Sequence, residues 1–444
     1  MSAVQLAFAG LLVSVILLQA ILPAYRLLIV LAGAALSCGA SAYLGLSSVG
    51  QLFREVPWEV LVILVALGLY AQNLADSRLF GLASVRITRA VKARPTGLLL
   101  LFALGTYFVS GVVNNLTALL VILPVLLSVF ALVGVTRRFA TWTLGVMLVA
   151  CNLGGAATPI GDFPAVLLLG SGVMTFGQYV VAAAPPTFFA LICLLLLVIV
   201  LVRPARDVRV TPANQRLTLA ILSQIYRGVR VRWTLLGPGL LALALMLAGW
   251  LLVPASWGFT PELVCWIGAG VALLARPRHA EQLLRTKVDV EASLFLLAFF
   301  LMVGAVRGTG FFAQAAGAIT QLPVSPGLQV MAFLVLAALL TGLFSAGPSM
   351  AALLEVAEAL ARDQPAEPIF VGLALSVCAG SSLFLTAATS GPLTQALVER
   401  AKLDDVQGNR IQFGFVNFLP VGLVSFCLIL SVNLVRTWWV LSKA

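Results

Sequence analysis

Charged side chains are scarce: they make up 10% of the 444 residues, where an ordinary soluble domain carries about a quarter. With 61% of the chain apolar, that shortage excludes a soluble globular protein. Histidine occurs once, at His279. The six cysteines (Cys38, Cys151, Cys193, Cys265, Cys378 and Cys427) form no CxxC pair, which excludes zinc, haem and iron–sulfur centres. All six lie in apolar stretches, where cysteine acts as a small hydrophobe. There is no Walker loop and no nucleophile–base pair, so the chain reads as neither an ATPase nor another enzyme, and no cofactor is expected. Carboxylates are fewer than cations, 16 against 27, for a net charge of +11. In a membrane chain that excess reflects Lys and Arg held in cytoplasmic loops rather than affinity for nucleic acid.

What is present is a succession of apolar runs from end to end. Each spanning helix needs roughly 20 such residues, so the length accommodates about 11–12 membrane segments. The fold class is an all-α polytopic membrane protein embedded in a lipid bilayer, and the Arg-, Leu- and Ala-rich usage points to a bacterial inner membrane or one derived from it. Met1 opens an apolar segment without a basic n-region or cleavage site, which reads as a retained first helix. Residues 203–232 carry Arg203, Arg206, Arg209, Arg216, Arg227, Arg230 and Arg232 against Asp207 alone, a basic cytoplasmic linker. In the second basic stretch, 76–95, Leu79, Leu82, Ala83, Ile87, Ala90 and Val91 recur at helical spacing among Arg78, Arg86, Arg89, Lys92 and Arg94. That pattern predicts an interfacial amphipathic helix ended by Pro95. Trp438 and Trp439, with Arg436 and Lys443, read as an interfacial anchor.

The linker splits the chain near its midpoint, and the halves share an order of features. EVLVILVALGLYAQNLADSRLF (59–80) aligns with EASLFLLAFFLMVGAVRGTGFF (291–312) through Glu59 and Glu291. Then FVSGVVNNLTALL (108–120) matches LFSAGPSMAALL (343–354). Last, CNLGGAATPIGD (151–162) matches CAGSSLFLTAATSGP (378–392), each opening at a cysteine. This is an internal repeat. The chain divides into scaffold helices (1–50), repeat one (51–202, with polar loops at 110–117 and 151–162) and the linker. Scaffold helices with a basic loop (233–288), repeat two (289–435) and a tail (436–444) follow.

Two polar stretches interrupt the apolar pattern of the first half, Ser110–Thr117 and Asn152–Asp162. Backbone that leaves the helix at membrane depth is tolerated only where it is buried in protein or lines an aqueous cavity. Gly and Pro supply the break, and freed carbonyls with Asn and Thr oxygens supply ligands. The result is either a hard-cation site or, if half-helix N-termini point inward, an anion site. The bland alternative is that Asn114, Asn115 and Thr117 cap a helix while the glycines allow close packing.

NNLTALLVILP and GGAATPIGD resemble the two signature loops of the ion transporter superfamily. That group holds the NhaD-type sodium/proton antiporters, the arsenite permeases and the divalent-anion/sodium symporters. GGAATPIGD is nearest the NhaD-type pattern. The resemblance implies two inverted repeats with re-entrant hairpins and broken helices, a homodimer and an elevator-like moving domain. It also implies a midplane site for sodium in which Asn115 and Thr117 face Asn152, Gly154, Gly155, Thr158 and Asp162. The sequence departs from the family at Asn114, where the antiporters carry Asp. Its second half holds Ser345, Ser349, Ser381, Ser382, Thr386 and Thr389, hydroxyls in place of charge.

Asp162 then becomes the central residue. A lone carboxylate at membrane depth is costly to keep ionised unless a cation or donors compensate, so one site can exchange a proton for a cation. A cap for the helix starting near Phe163 is its structural alternative. Glu355 is the second candidate proton carrier, unless its helix emerges early and it meets solvent with Glu358. Arg307 follows an apolar run, where it snorkels or binds an anion. The first reading is therefore a secondary active cation (sodium)/proton antiporter moving small inorganic ions, with Na+ or H+ transported. The second is an arsenite-, silicate- or dicarboxylate-like anion transporter coupled to sodium or protons. A third is a transporter-derived scaffold or sensor.

Overall fold

The computed structural model describes residues 2–22, 25–208, 212–225, 227–253, 257–288, 290–362, 364–388 and 390–443; Arg209 and Thr389 lie outside them. The described residues are helical almost throughout. Their elements in chain order begin with α1 (Ala3–Ile21), α2 (Arg26–Tyr43), α3 (Val49–Arg54), α4 (Trp58–Ala75) and α5 (Leu79–Ala90). Next come α6 (Pro95–Ser110), α7 (Asn115–Val133), α8 (Arg137–Ala157), α9 (Phe163–Gly170) and α10 (Phe176–Leu197). The linker holds α11 (Pro212–Ile225). The second half runs α12 (Trp233–Leu252), α13 (Pro261–Leu274), α14 (Pro277–Thr286), α15 (Val290–Gly308) and α16 (Phe311–Thr320). It closes with α17 (Pro326–Phe344), α18 (Ala346–Leu360), α19 (Ala366–Ser381), α20 (Ser390–Ala401) and α21 (Phe415–Leu441). Among the described residues nine helices are long and apolar enough to cross a membrane. Only a helix satisfies its own backbone in lipid, which is why runs this apolar take no other form.

The order is ten helices, a linker helix and ten helices again, and the packing respects it. α6 lies along α8 as α17 lies along α19. Across the halves the contacts are reciprocal: α2 packs on α15 and α13 on α4, while α7 meets α20 and α18 meets α9. Charge distinguishes the matched segments. The segment holding α5 carries Arg78, Arg86, Arg89, Lys92 and Arg94, whereas its counterpart around α16, residues 308–325, has no charged residue. Conversely the α14 segment carries Arg276, Arg278, Arg285 and Lys287, while Arg54 beside α3 is balanced by Glu55. His279 of α14 pairs with Asp76 at the end of α4, while Arg307 at the end of α15 pairs with Glu55 just before α4, so the corresponding helices α4 and α15 run in opposite directions, as inverted repeats do.

Three expectations are corrected. α5 ends at Ala90, through Lys92 and Ala93 in the left-handed region, and Pro95 opens α6 instead of closing α5. Proline suits a first helical position because its missing N–H is not needed there. The tail is not separate: Arg436, Trp438 and Trp439 continue α21, and Arg436 pairs with Glu367 at the start of α19. The register that pairs Cys151 with Cys378 is one residue out. A Cβ on Gly154 would stand 2.1 Å from the Tyr107 carbonyl, and one on Gly380 would stand 2.3 Å from that of Ala338. Those matched close approaches pair Gly154 with Gly380, hence Asn152 with Cys378.

Candidate functional site

Four helix breaks meet where the halves interlock. The first falls between α6 and α7, where Asn114 adopts extended backbone (φ −67°, ψ 155°) and its side chain accepts from the Thr117 amide at 2.8 Å. Asn114 is thus a helix cap, the role that short polar side chains take at an N-terminus. The second separates α8 from α9. Thr158 precedes a proline, which disfavours helical backbone; it is extended (φ −138°) and α8 stops. Its hydroxyl donates to the Gly111 carbonyl at 2.6 Å, tying the two breaks together. The Asn115 amide donates to the Gly161 carbonyl at 3.2 Å, a second tie.

Asp162 opens α9, accepting from the Phe163 amide at 2.9 Å, with the Asn115 side chain beside its carboxyl group. The N-terminal ends of α7 and α9 both present positive partial charge here. The Asn115 oxygen also contacts the Ser110 hydroxyl. No side chain fits between these groups: a Cβ on Gly155 would lie 2.3 Å from Asn115 Oδ1, and one on Gly161 would lie 2.4 Å from the Ser110 carbonyl. Because α8 stops at Ala157, the carbonyls of Gly154 to Ala157 lose their helical partners. Tyr179 donates its hydroxyl to that of Ala156 at 2.8 Å. One carboxylate, one amide and released carbonyls form an oxygen-rich cluster, the donor set hard cations take.

The second half repeats the backbone without the chemistry. Ala346 at the start of α18 donates to the Ala387 carbonyl at 3.1 Å, as Asn115 does to Gly161. That correspondence sets Ala346 against Asn115, Ser381 against Gly155 and Ala388 against Asp162, so amide and carboxylate are replaced by methyl groups. Ser345 takes the place of Asn114 but has φ +97° and caps nothing with its side chain. Ser349 is buried with its hydroxyl unpartnered, and Thr386 is exposed. The second tip still reaches the first site: a Cβ on Gly347 would meet the Phe163 ring at 3.7 Å.

Other expected site residues point elsewhere. The Thr117 hydroxyl turns to α4, accepting from Gln72 at 3.3 Å. Asn152 faces the second half, where it joins Ser381, Ser382 and Ser390. Glu355 and Glu55 both pair with Arg307, at 3.1 and 2.7 Å. Neither an isolated acid nor a free guanidinium is therefore present there. Gln72 and Ser110 had no place among the expected ligands; for Gln72 the signal is an amide pair, Gln72-Asn73, inside an otherwise apolar helix.

Residues 7–378 match the citrate transporter family. An uncharacterized transporter of Mycobacterium tuberculosis is 26% identical over 393 residues, 86% of each chain. The magnetosome protein MamN of Paramagnetospirillum magneticum is 27% identical over 369 residues, 82% of each chain. Among solved structures, the YdaH transporter of Alcanivorax borkumensis shares the fold with a TM-score of 0.59 over 95% of this chain and 98% of that one, at 16% identity.

Proposed function

The chain belongs to the citrate transporter family, a family of transporters rather than enzymes, and from that premise we propose that it exchanges an alkali cation, sodium foremost, for a proton at Asp162. The observation that carries this reading is the single carboxylate held among Asn115, Gly155 and the released carbonyls of α8. A lone acid in that setting holds a proton or a cation but not neither, because an uncompensated charge at membrane depth costs several kcal/mol. Binding one ligand thus displaces the other, which is the condition for exchange. The GGAATPIGD loop, with its likeness to the NhaD-type antiporters, supports the same assignment.

The test uses proteoliposomes with an internal pH dye and an imposed proton gradient. Adding Na+, Li+ or K+ in turn should dissipate the gradient for at least one of them, and Asp162→Asn should reduce the response to background. A folded wild-type protein that answers none of the three would remove this reading.

A second reading has the cation drive an organic anion, in line with the family's description. It is favoured by the tip at Ser345–Ser349: an uncharged N-terminus of α18 with an unpartnered buried hydroxyl at Ser349, on a tip that meets Phe163 at Gly347. Helix N-termini favour anions. Sodium-dependent uptake of labelled citrate, absent in Ser349→Ala, would select it.

A further inference from the structure

One side chain joins the two halves across their breaks. The Asn152 amide donates to the Ser381 carbonyl at 3.4 Å and to the Ser382 hydroxyl at 3.2 Å, both at the end of α19. Its oxygen accepts from the Ser390 hydroxyl at 3.2 Å, the first residue of α20. Asn152 therefore spans the break between α19 and α20, bonded to the helix on either side of it. On its own side the adjoining Cys151 carbonyl accepts from the Ser110 hydroxyl at 2.8 Å, and Ser110 contacts Asn115 in the Asp162 site. The Cys151 thiol lies 3.4 Å from the Asn115 carbonyl as well. A continuous path of polar contacts and one peptide unit thus leads from the Asp162–Asn115 site to the second-half break.

We infer that Asn152 is a positioning residue that transmits occupancy of the first-half site to the second-half break. The inference rests on the cation reading given above. Asn152 is 1% exposed, so water does not compete for its bonds, and in that setting a change at one bond is felt at the next. The link is also one-sided. The counterpart of Asn152 is Cys378, whose short thiol offers no comparable donor and acceptor set, while Asn152 is bonded on both sides of the opposite break. A pair of repeats held together only for stability would have no reason to concentrate its polar tie on one copy, next to the only one of the two sites that keeps a carboxylate. Coupling of this kind needs an element with two arrangements biased from both ends, and on this inference that role falls to the break after α19, whose flanking helices share one partner.

The test reads the break between α19 and α20 while the first-half site is filled. Thr386 is exposed in that break, so Thr386→Cys reports there in a chain whose Cys427 and Cys193 are alanine. Maleimide labelling is measured in detergent with saturating Na+ or with choline, and thermal midpoints are measured in parallel. With Asn152 present, Na+ should change the labelling rate by about fivefold or more, the low end of ordinary coupling between sites. In Asn152→Ala, Na+ should still raise the midpoint while the labelling rate no longer responds. Should Asn152→Ala fold poorly, the paired Ser382→Ala and Ser390→Ala substitutions remove its two side-chain partners, leaving only the long bond to the Ser381 carbonyl, and leave repeat one untouched; they should uncouple in the same way. A labelling response that persists in either variant overturns the inference and leaves the cation reading standing. If Na+ leaves the wild-type midpoint and labelling unmoved, the cation reading fails and takes the inference with it.

Discussion

Gly154 and Gly155 are neighbours with separate duties. A methyl group at Gly154 would meet backbone, the Tyr107 carbonyl at 2.1 Å, so Gly154→Ala should force α6 and α8 apart and destabilise the fold by about 1–3 kcal/mol or more, read as a lowered thermal midpoint. A methyl group at Gly155 would meet the site itself, 2.3 Å from Asn115 Oδ1 and 2.9 Å from Asp162 Cβ. Gly155→Ala should abolish stabilisation by Na+ as fully as Asp162→Asn does. A Na+-dependent rise in midpoint surviving in Gly155→Ala would place the cation elsewhere. The grouping of Asn115, Gly155 and Asp162 was readable from the sequence, because a membrane helix has no use for glycine, proline and a carboxylate together unless it breaks there. The directions of Thr117 and Asn152 were not. A helical side chain's face depends on which neighbour packs there, and nothing local to Asn152 says that its partners lie more than 200 positions away.

Among the elements, the paired starts of α7 and α18 show how one motif took two courses. α7 begins at a proper cap, so Asn114→Ala should cost about 1 kcal/mol while sparing the response to Na+, and a loss of that response would make Asn114 a ligand after all. α18 begins at Ser345, whose φ of +97° and ψ of 149° suit only glycine. Ser345→Gly should relieve strain of about 1–3 kcal/mol and raise the midpoint, whereas Ser345→Ala should not. Equal midpoints for the two would show the backbone there to be relaxed. The repeat itself was legible through Glu59 and Glu291, but its register was not. Two cysteines offered a false anchor, and the true one is a pair of glycines whose importance shows only when two helices touch.

For the whole molecule, the matched segments around α5 and α16, one basic and the other without charge, predict opposite exposure. In sealed vesicles of known orientation, Arg89→Cys and Gln314→Cys should react with a membrane-impermeant maleimide from opposite sides; reaction from the same side would end the inverted arrangement. Composition alone revealed a helical membrane protein, since nothing else accommodates so few charges. The breaks that divide crossings into shorter helices showed not in composition but in the order of residues, at the polar stretches 110–117 and 151–162.

The reciprocal packing of α2 on α15 and α13 on α4 has a consequence for how the protein is made. α4 leaves the ribosome long before its partner: between Ala75 and Pro261 roughly 190 residues must be synthesised, a delay of about 10–40 s at 5–20 residues per second. Until then a helix bearing Gln72 and Asn73 sits in the bilayer without the neighbour that covers it. The first half is therefore born as an incomplete object, dependent on insertion factors or on its own polar residues finding temporary partners. A chain severed in the linker should mature only when both pieces are supplied together.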